Sequence, residues 1–225
     1  MVTRRLSGYR HTLQVLAVGL LILVVASLYW PNAEAAKKKA VRLFDGRTFS
    51  GWEGKLNIFR IEDRAIVGGS LKTPLERNEF LCTKREYADF VLRLKFKLLG
   101  TAKANAGVQF RSARIPDNSE VIGYQADLGE GYDGSLYDES RRKTTLAKPD
   151  EAALSKVLKR GEWNDYEIRA EGKHIRLAIN GFQTVDYTEP DNSISQSGCI
   201  CLQIHGGPPS EAWYKEIVIM ELKGR

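Results

Sequence analysis

The sequence predicts an all-β fold: a two-sheet antiparallel β-sandwich of jelly-roll type with one short helix. Three observations carry that expectation. Residues 89–98, DFVLRLKFKL, set Phe90, Leu92, Leu94, Phe96 and Leu98 against Val91, Arg93, Lys95 and Lys97, the two-residue period of a strand with one face in a core and one in water. Residues 174–187, HIRLAINGFQTVDY, alternate Ile175, Leu177 and Ile179 before Asn180-Gly181, the dipeptide that most favours a two-residue hairpin turn. Helical periodicity is scarce beyond residue 40, so strands have no helices to pack on and must bury their apolar faces against another sheet.

The remaining elements follow in chain order. FRIEDRAIVGG from Phe59 predicts a hairpin turning at Glu62-Asp63, and YKEIVIMEL, residues 214–222, predicts a closing strand. The single helix is expected over Asp150–Arg160, capped by Asp150, with Ala152, Ala153, Leu154, Val157 and Leu158 as its apolar stripe.

Ahead of this domain lies a different kind of sequence. Arg4, Arg5 and Arg10 precede an almost uninterrupted apolar run from Leu13 to Trp30, and Ala33-Glu34-Ala35 supplies the small-x-small pattern of a cleavage site. Residues 1–35 are expected to be a signal peptide or, uncleaved, a membrane anchor through residues 13–30, which makes the domain an exported one, periplasmic or extracellular. Lys37, Lys38 and Lys39 lie in a basic linker, 36–40, and the working domain spans 41–225. Removing residues 1–35 takes the net charge from +6 to +4, and no nucleic-acid motif is present. Cys82, Cys199 and Cys201 are an odd set; the last two share a strand face, so at most one of them pairs with Cys82, and core thiols and a single disulfide are equally open.

Gly129, Gly131 and Gly134 stand in the G-x-G-x-x-G spacing. A dinucleotide turn needs a buried strand before it and a sheet-packing helix after it, and residues 135–142 lack the helical apolar period. These glycines are expected to fold a tight loop instead.

Three strands carry an unusual polar face. In GVQFRS, Gln109 and Arg111 oppose Val108 and Phe110. In IGYQADL, Gln125 and Asp127 oppose Tyr124, Ala126 and Leu128, and in CICLQIH, Gln203 and His205 oppose Leu202 and Ile204. Solvated faces usually carry Lys, Glu, Thr and Ser; Gln, Arg, Asp and His offer directional groups suited to hydroxyl-rich ligands. If the three strands are neighbours, these side chains gather above one sheet, and Tyr132, Asp133, Tyr137, Asp138 and Arg141 close one end, the tyrosines offering faces to sugar rings. Asp127, Glu130, Asp133, Asp138 and Glu139 are dense enough to admit calcium, though without EF-hand spacing; no other cofactor is implied.

Taken in order, LFDGRTFSGW (43–52), LCTKREYADFVLRLKFKL (81–98), NAGVQFRS, GYQADL, GEWNDYEIRAEGKHIRLAINGFQTVDY (161–187) and GCICLQIHGG (198–207) resemble the 3-keto-disaccharide hydrolase domain family. The resemblance implies a concanavalin A-like jelly roll. It also implies action on a glycoside oxidised at C3, by C2 proton abstraction, elimination of the C1 substituent and hydration of the enone. On that reading Arg111 faces the carbonyl, Asp127 or His205 moves the proton, and Gln109, Gln125, Gln203, Tyr132, Tyr137 and Arg141 hold the carbohydrate; the alternative is a binding module without chemistry. Trp213-Tyr214-Lys215-Glu216-Ile217 stands where the family commonly has an Arg-Asn-Ile run. The E-x-D-x-x-E of two-carboxylate glycosidases is approached only by Glu189-Pro190-Asp191-Asn192-Ser193-Ile194, which lacks the last acid.

Overall fold

The computed structural model describes residues 40–222. The segment expected to be a signal peptide or anchor and most of the expected basic linker lie outside them, and among the described residues no helix is long and apolar enough to cross a membrane.

Among the described residues fifteen strands are formed. In chain order they are β1 (Val41–Arg42), β2 (Trp52–Glu53), β3 (Phe59–Glu62), β4 (Ala65–Ser70), β5 (Glu79–Thr83), β6 (Phe90–Gly100), β7 (Asn105–Arg114) and β8 (Val121–Gly129). They continue with β9 (Leu136–Glu139), β10 (Thr144–Ala147), β11 (Asn164–Glu171), β12 (His174–Ile179), β13 (Phe182–Thr188), β14 (Cys199–Ile204) and β15 (Ser210–Glu221). One sheet runs β13-β12-β11-β6-β15-β4-β3, with β1 added beside β15; the other runs β10-β9-β8-β7-β14-β5-β2. All pairings are antiparallel, and the two sheets stack as the jelly-roll sandwich that the alternation predicts.

The period of two decides which side chains meet between the sheets. Phe90, Leu92, Leu94 and Phe96 of β6 and Ile175, Leu177 and Ile179 of β12 are buried in one core with Val108 and Phe110 of β7, Tyr124 and Ala126 of β8 and Leu202 of β14. On the solvent side of β6, Arg93 pairs with Glu167 at 2.7 Å and Lys95 with Asp165 at 2.6 Å across the β6–β11 ladder. These exposed pairs each contribute under about 1 kcal/mol, so the core face fixes the register.

Asn180 and Gly181 both have positive φ, as the predicted hairpin requires. The hairpin from Phe59 turns one residue later than expected, at Asp63-Arg64, both with positive φ, because Glu62 and Ala65 form its last pair. The helix, α1 (Glu151–Leu154), is much shorter than Asp150–Arg160. Asp150 caps it, its carboxylate accepting from the Ala153 amide at 3.0 Å. Downstream the Asn164 side chain accepts from the Lys159 amide and donates to the Lys159 carbonyl, both at 2.8 Å, and this clamp turns the chain away from the helix axis.

Cys82 and Cys201 stand directly opposite on β5 and β14 and form a disulfide, leaving Cys199 as a buried free thiol. Burial pushes that thiol up to about 11, so it is an unreactive neutral group at neutral pH. The bond closes a separation of 119 residues. Replacing Cys82 and Cys201 together by alanine is therefore expected to lower stability to urea by about 2–5 kcal/mol; a loss below about 1 kcal/mol would contradict a structural role for the bond.

Candidate functional site

Strands β14, β7 and β8 are neighbours, so Gln203, Gln109, Gln125 and Asp127 share a face. The register aligns Phe80, Gln203, Gly107 and Asp127 in one row and Cys82, Cys201, Gln109, Gln125 and Tyr137 in the next. Gly107 matters here because a Cβ at that position would lie 2.6 Å from Cδ of Gln125. Its bare backbone lets the Gln125 side chain lie across the strand.

The amides then form a directed chain. Ser112 Oγ is 3.1 Å from Gln109 Oε1, Gln109 Nε2 donates to Gln125 Oε1 at 2.5 Å, and Gln125 Nε2 donates to Asp127 Oδ1 at 3.0 Å. The Leu128 amide adds a second bond to the same oxygen at 3.1 Å. Asp127 is only 4% exposed, and its desolvation outweighs those bonds, raising the carboxyl to about 7; the charges of Glu139 and Asp133 push the same way. Gln203, 0% exposed, has no hydrogen-bond partner for either amide atom.

The rim is less enclosed. His205 follows β14, its backbone amide bound to the Asn105 carbonyl at 3.1 Å, and is exposed. Its Nδ1 lies 2.5 Å from the Gly206 carbonyl, an acceptor only, so Nδ1 carries the hydrogen and Nε2 is the exchangeable position. Tyr137 is half-buried beside Gln125 in register, and Tyr132, 49% exposed, sits at the β8–β9 turn. That turn is made by the three glycines: Gly129, Gly131 and Gly134 have positive φ, and β9 rather than a helix follows, so no dinucleotide turn is built.

Three expected members are elsewhere. Arg111 breaks the alternation: it sits at a bulge where the β7–β8 and β14–β7 registers both shift, with φ 49°. Its guanidinium is spent on the protein, donating to the Ala88 carbonyl at 2.9 Å, the Gly172 carbonyl at 2.6 Å, Asp89 Oδ1 at 2.9 Å and Gln196 Oε1. It does not face the Gln109–Gln125–Asp127 chain. Arg141 and Asp138 also leave the face, because Asp138 follows Tyr137 and so points inward. There Arg141 donates to Asp138 at 2.9 Å, and Arg142 joins Asp138 to Glu189, itself bound by the Tyr124 hydroxyl at 2.7 Å. Burial opposes ionisation of Glu189, but Arg142 and Tyr124 prevail and hold it at about 2.

The acids whose density in the sequence could admit calcium do not converge. Asp133 is tied to Arg160 at 2.9 Å and Asp138 to the two arginines. Among the described residues the one trio of His, Cys, Asp or Glu ligand atoms within 4.8 Å of one another is Cys82, Cys199 and Cys201. Two clefts, of about 380 Å³ and 310 Å³, flank the Asp133–Arg160 pair at the β8–β9 end, and none of the amides lines either one.

Sequence reasoning missed Ser112, Phe80 and Tyr214. Ser112 enters the amide chain only because of the bulge, and Phe80 borders Gln203 through the β5–β14 register. The Tyr214 hydroxyl crosses the core from the opposite sheet, lying 2.6 Å from the Gln203 carbonyl and 3.1 Å from the Gly107 carbonyl. The segment that departs from the family pattern therefore shapes the floor of the polar row and the far sheet: Lys215 lies over the Trp163 ring at 4.0 Å on that sheet.

Residues 39–220 match the 3-keto-alpha-glucoside-1,2-lyase-like domain family. The chain belongs to that family. No curated protein matches it. Among solved structures, two proteins from Parabacteroides distasonis classed as candidate glycosyl hydrolases are similar in fold. The first is 19% identical at TM-score 0.64, covering 86% of this chain and 99% of its own; the second is 23% identical at 0.62, covering 82% and 100%. The carbohydrate-binding module CBM66 of Bacillus subtilis is 14% identical at TM-score 0.59, covering 76% and 96%.

Two predictions follow from the electrostatics. The Asp127 carboxyl has an ordinary value of 3.8 and lies near 7 when folded, so the native state holds the extra proton and wild-type stability falls as pH rises through that window. Asp127→Asn removes the penalty: its stability relative to wild type should rise with a slope of at most about 1.4 kcal/mol per pH unit between those values, then level off. A flat difference by urea unfolding would contradict the raised carboxyl. Arg111→Ala strands Asp89 and two carbonyls and is expected to cost about 3–5 kcal/mol; a change below about 1 kcal/mol would show that the bonds of Arg111 are dispensable.

Proposed function

We propose that the domain cleaves 3-keto-glycosides on the β14–β7–β8 face. The observation that carries this reading is a buried carboxyl poised near neutrality at the end of a directed amide chain, one strand pair from an amide with no partner. A base whose pKa lies near the working pH is the group that abstraction of a C2 proton requires. Asp127 takes that proton; the C–H electron pair passes through the enolate and expels the C1 oxygen, leaving the C1–C2 enone. His205 at the rim is the proton donor for the departing oxygen through Nε2. Water adds to C1 and the proton returns to C2, so the net change is hydrolysis, or elimination where the enone is released. Gln109 and Gln125 hold Asp127, and Tyr132 and Tyr137 offer ring faces to the sugar.

Arg111 is replaced in this account, since its donors are engaged at Asp89, Ala88, Gly172 and Gln196. Membership of the lyase-like family supports the reaction class. We also place the protein outside the cytoplasm, as its N-terminal sequence implies; the Cys82–Cys201 disulfide fits an oxidising compartment. The second reading is a carbohydrate-binding module without turnover, favoured by the fold likeness to CBM66.

The test is incubation with a 3-keto-α-glucoside, following release of the aglycone and deuterium incorporation at C2 in heavy water. The expected result is turnover that rises on a limb near pH 7 and falls about 10²–10⁴-fold in Asp127→Asn. Binding without turnover or exchange would select the module, and neither would refute a sugar site.

A further inference from the structure

The glycine loop between β8 and β9 does more than reverse the chain: it sets a buried carboxylate between two clefts. Asp133 Oδ1 accepts from the Gly129 amide and Oδ2 from Arg160 Nη1, both at 2.9 Å. The Asp133 side chain is 9% exposed and that of Arg160 59%. Burial raises the Asp133 carboxyl above its ordinary value, against the pull of the Gly129 amide and Arg160. Glu130, Asp133, Leu158 and Arg160 line both clefts, the one of about 380 Å³ and the one of about 310 Å³.

The smaller cleft reaches the neighbour of the proposed proton acceptor. Ser135 lines it, and the Ser135 carbonyl accepts from the Asp127 amide at 3.0 Å across the β8–β9 ladder. Facing residues of an antiparallel pair lie about 5 Å apart and share one side of the sheet. The cleft therefore begins one strand away from Asp127. Among the described residues the Ser135 hydroxyl has no hydrogen-bond partner.

The lining selects a class of ligand. Pro149, Leu154 and Leu158 give the 310 Å³ cleft an apolar wall, and its volume lies at the lower end of small-ligand sites. Arg160 commits only Nη1 to the protein, so its other N–H groups are free, and the Asp133 carboxylate keeps lone pairs beyond its two bonds. Glu130, Asp133 and Glu151 line the two clefts together with Lys159 and Arg160, so neither an anion nor a cation meets a surface of one opposite sign. A neutral molecule with hydroxyls at its edge and an apolar face suits all of these features. We propose that the 310 Å³ cleft is a subsite for a neutral sugar ring, its apolar face on Leu154 and Leu158 and its hydroxyls on Asp133, Arg160 and Ser135. That ring is the part of a 3-keto-glycoside beyond the C1 oxygen, the part that leaves. This assignment rests on the proposed reaction and names the substrate as a disaccharide rather than a simple glycoside.

The experiment measures rates on a 3-keto-disaccharide and on methyl 3-keto-α-glucoside, which lacks the second ring, in wild type, Arg160→Ala and Ser155→Trp. Ser155 is exposed at the edge of the cleft and its hydroxyl bonds only the Ala152 carbonyl, so tryptophan there obstructs the cleft without entering the core. Both variants are expected to lower the preference for the disaccharide over the methyl glycoside about 10–100-fold, through KM. In wild type the unoxidised disaccharide should shift the Arg160 Nε–Hε signal saturably. Rates on the two substrates that change in step would show a structural role, and a loss in only one variant would put the second ring outside this cleft; either overturns the assignment while leaving the reaction in place. An Arg160 signal that saturating disaccharide leaves unmoved would overturn it as well. If wild type turns over neither substrate, the reaction falls and the leaving role of the ring with it, whereas saturable movement of the Arg160 signal would keep the cleft as a sugar site.

Discussion

The polar face depends on the register of three adjacent strands around one glycine. With Leu202, Ile204, Val108, Ala126 and Leu128 committed to the core, the pleat leaves no choice about where Gln203, Gln109, Gln125 and Asp127 point. Gly107 then decides what those side chains do, because only without a Cβ there can Gln125 lie over the strand and reach Asp127. Tyr214 fixes the same place from below, its hydroxyl within hydrogen-bond reach of the carbonyls of both Gly107 and Gln203. A slip of one residue in either ladder would exchange the amides for leucines and dissolve the arrangement.

The molecule separates its charges into those that hold the fold and one that is left poised. Arg111, Arg141 and Arg142 are each bound by carboxylates or carbonyls away from the polar face, and Glu189 is held ionised by its partners. Asp127 has no cation beside it; its neighbours are neutral amides, a backbone N–H and, farther off, acids. Burial, with no counter-charge to oppose it, holds its carboxyl near 7, whereas hydrogen bonds from Arg142 and Tyr124 hold Glu189 at about 2. The two acids show how one sandwich holds an ionised strut on its inner face and a raised carboxyl on its outer one.

Much of this was legible in the sequence. The sandwich followed from the alternation in 89–98 and from Asn180-Gly181, since those signals are local and survive into the structure unchanged. The shared face of Gln109, Gln125, Asp127 and Gln203 followed from the same period of two, and the family resemblance from the order of its segments. Arg111 was misplaced because a bulge cancels alternation, and nothing in GVQFRS distinguishes a regular strand from one that shifts register at Arg111. Arg141 and Asp138 were misplaced because β9 begins at Leu136, which puts Tyr137 rather than Asp138 on the outer face. Phe80 and Tyr214 come to the site from β5 and the opposite sheet, long-range placements that no local pattern encodes. The helix shortened because the Asn164 clamp, a tertiary contact, overrides the apolar stripe.

The most direct measurement is the side-chain amide spectrum of Asp127→Asn titrated with a 3-keto-α-glucoside it cannot turn over. The account predicts that the Gln203 and Gln125 amide signals, assigned by substitution, shift together and saturate at one ligand per chain. Saturable binding that leaves both amides unmoved would place the sugar elsewhere on the sandwich and contradict the account.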